Sequence, residues 1–273
     1  MNFLIALAIV YIACCAYLYF QQRSMQYFPG GPAPSHEQLG ISEPQIVRVT
    51  ASDNLQIEGW YWPPGEPENL VVVYFHGNAQ EYNLRMQKLQ TLRSHGYGTL
   101  FATYRGFGGN EGRPTQQGLY NDARAYMDWL GAKGISPQRI VLLGESLGTG
   151  VAVQMATEYE VRGVMLESAY NAITEVAKQR YFMFPIDLLM KDQYRSVDKI
   201  AQIDASLLFI HGTDDELIPI KLARDLYTKA SEPKAFIAME GAHHNDLMQH
   251  GVVTHLLSFL RGLENSDSIE RQE

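Results

Sequence analysis

Three stretches of the chain hold residue types that can carry out nucleophilic chemistry together. Gly144-Glu145-Ser146-Leu147-Gly148 has the pattern G-x-S-x-G, follows an apolar run over 139–143, and precedes residues 149–156, which can start a helix. In a strand-turn-helix setting this pattern turns so sharply that the serine stands in a strained backbone conformation, while the flanking glycines leave room for the crossing strand and helix. A serine hydroxyl is a weak nucleophile until a base takes its proton, and imidazole is the usual base near neutral pH. Two adjacent histidines, His243 and His244, are available after a late apolar run. Two adjacent aspartates, Asp214 and Asp215, offer a carboxylate to orient such a ring. The residue types alone leave both choices open.

Chemistry of this kind needs a scaffold that brings stretches distant in sequence to one place. Strand-like runs occur at 45–50 and 55–62, joined by Ser52-Asp53-Asn54, which reads as a hairpin-like entry. Thereafter strand and helix patterns alternate. Strands are expected at 70–75, 99–104, 139–143, 161–167, 206–210 and 234–239. Helices are expected at 81–95, 116–133, after Ser146, at 221–230 and from 252 to 263, with Tyr120, Ala123, Met127 and Leu130 on one face of the second. Such alternation implies an α/β fold with a mostly parallel sheet flanked by helices, in which functional loops gather at the carboxyl ends of the strands. The serine turn, the Asp214-Asp215 loop and the His243-His244 loop fall at such ends. So do His76-Gly77-Asn78-Ala79 and the stretch from Arg105 to Gly112.

Composition bounds the remaining possibilities. The 273 residues suffice for one large α/β domain with a substantial core, and no composition break favours two. A formal net charge of −8 argues against nucleic acid as a partner. The only cysteines, Cys14 and Cys15, lie in the N-terminal apolar run. The catalytic part therefore contains no disulfide, thiolate nucleophile or cysteine metal site. Residues 3–20 carry no charge. As a helix this run reaches about 27 Å, close to the ~30 Å hydrocarbon thickness of a bilayer. Tyr17, Tyr19 and Phe20, followed by Gln21-Gln22-Arg23, suit an interfacial end. Met1-Asn2 lacks the basic residues of a signal peptide, so an uncleaved single-pass anchor is expected, touching the lipid bilayer through residues 3–20. Arg23 leans toward a cytoplasmic domain, leaving the side of the membrane open. The expected plan is an anchor over 1–24, a linker over 25–44 containing Pro29-Gly30-Gly31-Pro32-Ala33-Pro34, a catalytic domain over 45–263, and a disordered acidic tail over 264–273 with four acids against one base.

Five motifs in order, His76-Gly77-Asn78-Ala79, Tyr104-Arg105-Gly106-Phe107-Gly108, Gly144 to Gly148, His211 to Pro219, and Gly241 to Asp246, resemble the Bem46-like branch of the α/β-hydrolase superfamily from about residue 25 to 263. The chain order Ser, Asp, His is also the order expected on an α/β-hydrolase sheet. The resemblance implies a serine hydrolase; many members are membrane-anchored, and some animal relatives remove palmitoyl groups from proteins. The family pattern H-G-x-x-D-x-x-[VI]-P falls on His211, Gly212, Asp215, Ile218 and Pro219 and selects Asp215; the final motif falls on Gly241, His244, Asn245 and Asp246 and selects His244.

A serine hydrolase also needs N–H donors aimed at the developing oxyanion. Leu147, after the nucleophile, supplies one, and the loop after an earlier strand, at Asn78, supplies the other. His76 and Arg105 read as loop-positioning residues. Residues 168–203 follow the sixth strand, where this fold commonly carries a short cap; its apolar and aromatic content suits an acyl group but equally suits burial of its own underside. The expected activity is hydrolysis of a carboxylic ester or acyl-thioester of a small molecule or acylated protein. A peptidase on the same fold and an anchored, non-catalytic binding or scaffold protein are the rivals. No cofactor and no metal are implied.

Overall fold

The computed structural model of the protein describes residues 3–79 and 81–270. One eight-stranded sheet organises the chain: β1 (Gln45–Thr50), β2 (Gln56–Trp62), β3 (Val71–Phe75), β4 (Gly98–Ala102), β5 (Ile140–Glu145), β6 (Gly163–Glu167), β7 (Ser206–Gly212) and β8 (Lys234–Met239). Their order is β1-β2-β4-β3-β5-β6-β7-β8. β1 and β2 form an antiparallel entry, β2 joins β4 antiparallel, and all pairings from β4 to β8 are parallel. The central strands β3 and β4 are buried along their whole length, which is why they read as continuous apolar runs and not as alternating ones.

Helices cover both faces. One face packs α3 (Gln116–Ala132), α4 (Leu147–Ala156) and α7 (Ile220–Lys229), contributing Leu119, Met127, Leu130, Val151, Leu222 and Leu226 to one core. The other packs α2 (Asn83–Ser94) and α8 (Val252–Glu270) through Met86, Leu89, Leu92, Leu256 and Leu260. Helix α3 shows how locally the elements are specified. Thr115 accepts a hydrogen bond from Gly118 N at 2.9 Å to cap its start, and Leu119, Ala123, Tyr126, Met127 and Leu130 form its buried stripe.

Strand order reverses between β3 and β5, since the chain leaves β3 for β4 on one side and later enters β5 on the other. The crevice at such a reversal, outside the carboxyl ends, is where open α/β sheets bind ligands. The loops after β3 and β5 meet there.

Several expected boundaries shift. The N-terminal helix α1 (Phe3–Gln26) runs to Gln26, and Gln26 and Tyr27 are buried, so the helix end is built into the domain. The segment expected to be a linker is packed: Phe28 bridges Ala79, Ile41 is buried, and Trp62 Nε1 donates to Ser42 O at 3.1 Å. Residues 264–270, expected to be disordered, continue α8. No glycine or proline follows Gly262, and extending an existing helix costs far less than starting one. Residues 271–273 of the expected tail, and residues 1–2 of the expected anchor, lie outside the described residues. Within the expected cap, α5 (Ile173–Tyr181) and α6 (Ile186–Leu189) project, whereas Ile200 and Ile203 return to the core.

Candidate active site

Ser146 stands between β5 and α4 with φ 50° and ψ −118°, a left-handed conformation that a non-glycine residue adopts only where its surroundings impose it. The surroundings are the two glycines and what crosses them. A Cβ on Gly148 would lie 2.0 Å from Phe75 O, and one on Gly144 would lie 2.7 Å from Gly148 O. Only glycine lets β3, β5 and α4 approach this closely. The turn is tied to the next strand by Ser146 N donating to Glu167 O at 2.9 Å.

Two further loops converge on this serine. His244 Nε2 lies 3.0 Å from Ser146 Oγ, and His244 Nδ1 lies 2.8 Å from Asp215 Oδ2. The buried carboxylate of Asp215 also accepts from Leu217 N at 3.0 Å and Ile218 N at 2.7 Å, while His211 Nε2 approaches it at 3.3 Å. Burial opposes the charge on Asp215, but the hydrogen bonds from His211, His244 and Ile218 N–H prevail and hold its carboxyl well below the usual carboxylate range. An ionised Asp215 can only accept, so His244 Nδ1 carries a hydrogen and Nε2 turns its lone pair toward the serine hydroxyl when the ring is neutral. The neighbours in sequence point elsewhere. Asp214 is exposed and accepts from Thr213 Oγ1 at 3.0 Å, and His243 is exposed, its N–H bonded to Asp246 Oδ1 at 2.6 Å.

Leu147 and Asn78 border the same cavity as Ser146. Leu147 opens α4, and first-turn N–H groups have no partner within their helix. The Asn78 loop is fastened on both flanks: Phe28 N donates to Asn78 O at 2.9 Å, Asn78 Nδ2 donates to Gln26 O at 3.1 Å, and Arg85 Nη1 donates to Ala79 O at 2.6 Å. His76 serves as packing. Its ring sits against Phe101, Tyr104 and Phe107, and Nδ1 donates to Gly77 O at 2.7 Å. Burial, reinforced by the nearby Arg85 charge, pushes its pKa down to about 3, so the ring is neutral. Arg105 fixes its own loop through Asp122 at 2.7 Å and Asp53 at 2.5 Å.

A buried ionic network beneath the elbow went unnoticed in the sequence. Glu145 binds Arg85 at 2.7 Å and Lys88 at 3.5 Å and accepts from Tyr74 Oη; Lys88 also pairs with Glu167. Burial disfavours charge on Glu145, yet Arg85 and Lys88 outweigh it and hold the carboxyl far below its ordinary value. Glu167, deeper, is raised by desolvation despite Lys88. Arg85 therefore joins the residue before Ser146 to the residue after Asn78. One signal was available: Glu145 and Glu167 end adjacent parallel strands in register, and two carboxylates side by side at buried strand ends require cations.

The cavity measures about 660 Å³, within the roughly 300–1,000 Å³ of small-molecule sites. Cap residues Ile173, Val176 and Tyr181 form one wall, and Leu18, Gln22 and Met25 of α1 form another.

Sheet order, elbow and the loops around it define a class of protein: the chain belongs to the α/β-hydrolase superfamily and is an enzyme of the serine-hydrolase kind. Residues 66–190 match the family described as serine aminopeptidase, S33. An uncharacterised protein of Mycobacterium tuberculosis is 36% identical over 88% of this chain and 86% of its own length. Human alpha/beta hydrolase domain-containing protein 17B is 31% identical over 66% of this chain and 62% of its own. Among solved structures, an esterase of Pyrococcus furiosus superposes with a TM-score of 0.71 at 20% identity, covering 86% of this chain and 98% of that one.

Proposed function

We propose that the protein is a membrane-anchored serine hydrolase of the Bem46-like branch that cleaves carboxylic esters or acyl-thioesters, with Ser146 as nucleophile, His244 as base and Asp215 as orienting carboxylate. The single observation that carries this reading is the unbroken hydrogen-bonded chain from Asp215 through His244 to Ser146, at 2.8 and 3.0 Å. Ser146 Oγ attacks the acyl carbon while His244 Nε2 takes its proton. Asp215 stabilises the imidazolium, and the N–H groups of Leu147 and Asn78 hold the oxyanion. His244 then protonates the leaving alcohol or thiol, and water releases the acyl group by the same steps in reverse roles. The apolar lining from α5, α6 and α1 favours an acyl chain over a polar substrate.

Helix α1 supports the anchor. It is 24 residues long and exposed in its apolar span, with a single helical face leaning on the cap, and by length and composition it can cross a membrane. We take residues 1–24 as the anchor, 45–263 as the catalytic domain and 168–203 as the cap-bearing segment. The full-length protein should hydrolyse p-nitrophenyl esters and acyl-thioesters of graded chain length, and Ser146→Ala should abolish both. Retention of full activity by that variant would sink the proposal. A peptidase would instead prefer aminoacyl amides in the same assay. The anchor requires that the protein resist carbonate extraction from membranes.

A further inference from the structure

The cap does not project freely into solvent. It is fastened along the anchor helix. Arg23 of α1 pairs with Asp192 at 2.7 Å, Gln22 Nε2 donates to Leu189 O at 3.0 Å, and Lys191 N donates to Gln22 Oε1 at 2.6 Å. Higher up, Tyr11 Oη donates to Met183 O at 3.0 Å, and the Tyr11 and Phe184 rings stack with centroids 5.5 Å apart. Tyr11, Cys15, Leu18 and Gln22 recur at helical spacing, which places them on one face of α1, the face turned to the cap.

Tyr11 lies inside the uncharged run of residues 3–20. From Tyr11 to Phe20, the last residue of that run, a helix rises about 14 Å. A placement of α1 that immerses its first turns in hydrocarbon therefore carries the tip of the cap to the membrane surface or below it. The tip has the chemistry for that position. Phe182, Met183 and Leu188 are 77%, 69% and 82% exposed, and α1 likewise exposes large apolar side chains such as Leu4, Ile12 and Phe20. Charges of both signs flank the tip, and Asp187 beside Leu188 is paired with Lys178 at 2.7 Å. Arg180 is exposed on α5, and the Lys191 ammonium sits 3.9 Å above the Tyr19 ring, at the level where aromatic and cationic residues meet headgroups. The Ser146 cavity lies between these two surfaces, with Leu18 and Met25 of α1 facing Tyr181, Leu189 and Met190 of the cap segment.

We propose that the cap tip formed by Phe182, Met183 and Leu188 seats in the leaflet that α1 enters from the catalytic domain, so that the acyl chain of a bilayer-resident ester or thioester passes between α1 and the cap into the Ser146 cavity without crossing water. This rests on the hydrolase and anchor readings above. It narrows the substrate class to long-chain acyl groups presented by lipids or lipidated proteins. It also assigns a role to three large apolar side chains that line no part of the cavity.

Two readouts on the full-length protein in phosphatidylcholine vesicles test it. With Phe182→Trp, lipids brominated in their acyl chains should quench the new tryptophan, over and above the background of Trp60, Trp62 and Trp129. This first readout needs no enzymatic activity. In the second, Phe182→Glu/Met183→Glu/Leu188→Glu should hydrolyse a vesicle-embedded p-nitrophenyl palmitate at least about tenfold more slowly than wild type, the loss expected when apolar contact worth roughly one buried side chain is removed. Water-soluble p-nitrophenyl butyrate should be cleaved at the wild-type rate. An unquenched Trp at position 182, or full vesicle activity in the triple variant, would overturn the proposal. If the triple variant loses both activities together, quenching of Phe182→Trp decides. A wild type inactive on the soluble ester would instead refute the hydrolase reading, and loss of α1 from membranes on carbonate extraction would refute the anchor.

Discussion

Replacing Arg85 by Gln should separate holding the fold from aligning the site. The guanidinium gives Nε and Nη2 to Glu145 Oε1 at 3.0 and 2.7 Å and Nη1 to Ala79 O at 2.6 Å. Removing one partner of a buried ion pair typically costs about 3–5 kcal/mol. Here Glu145 keeps Lys88 and Tyr74 and is 23% exposed, which brings the expected stability loss to about 2 kcal/mol. The effect on the reaction comes from the other end of the side chain. A hydrogen bond from a charged donor contributes roughly 1.5–3 kcal/mol, and without it the loop carrying Asn78 loses a charged fastening and keeps weaker neutral ones such as the Phe28 and Gln26 bonds. Complete loss of an oxyanion donor costs about 10²–10³ in kcat, so a loop that drifts part of the time should lower kcat by about 10- to 100-fold. Because an oxyanion donor acts on the transition state, KM should stay near its wild-type value. Urea unfolding measures the first effect and steady-state hydrolysis of p-nitrophenyl butyrate the second. Arg85→Lys, which keeps the charge but cannot make both contacts, should recover stability more than kcat. An Arg85→Gln protein that is destabilised yet turns over at the wild-type rate would refute the clamp.

Other consequences follow from the same geometry. Asp215→Asn keeps the shape but removes the charge that fixes the His244 tautomer, and should lower kcat by about 10⁴, whereas Asp214→Asn and His243→Ala should leave it close to wild type; comparing the three kcat values checks the assignment. His76 is neutral in the fold with a pKa of about 3, against ~6.5 in the unfolded chain. The unfolded state therefore binds the extra proton first, and the stability that neutral His76 provides is complete above about pH 6.5 and lost as pH falls toward 3. Between pH 7.5 and 5.0 this amounts to about 2 kcal/mol at ~1.36 kcal/mol per unit, so urea unfolding at those two values should show wild type losing that much more than His76→Phe. Asp215 and Glu145, whose pKa values are depressed, add acid sensitivity only below the ordinary carboxylate value near ~4, outside that window.

What could be read from the chain alone were features encoded within a few residues. The G-x-S-x-G turn, the apolar runs of β3 to β7 and the polar loops at their ends are local patterns, and the sheet forms where those patterns put it. Residue types left Asp214 and Asp215 open, because both occupy one turn, and the family pattern over His211 to Pro219 selected Asp215; the bonds from Leu217 N and Ile218 N give the physical reason that this carboxylate turns inward. Arg85 and Lys88 stayed hidden for a related reason. Two cations three residues apart on a helix resemble a solvated face, and only the arrival of Glu145 and Glu167 from neighbouring strands makes that face a buried one. Helix α1 was legible as an apolar span but not as a wall of the cavity, since its contacts with the cap bridge more than 160 residues of sequence. The end of α8 was missed because an acidic, polar sequence says little about a helix that begins in the core.

The central claim is that Ser146 Oγ is the atom that attacks. Reacting the full-length protein with a fluorophosphonate and mapping the adduct by peptide mass spectrometry tests it most directly. A single adduct on Ser146, absent from Ser146→Ala and slowed in Asp215→Asn, is the predicted result. An adduct on another residue, or equal labelling of Ser146→Ala, would contradict it.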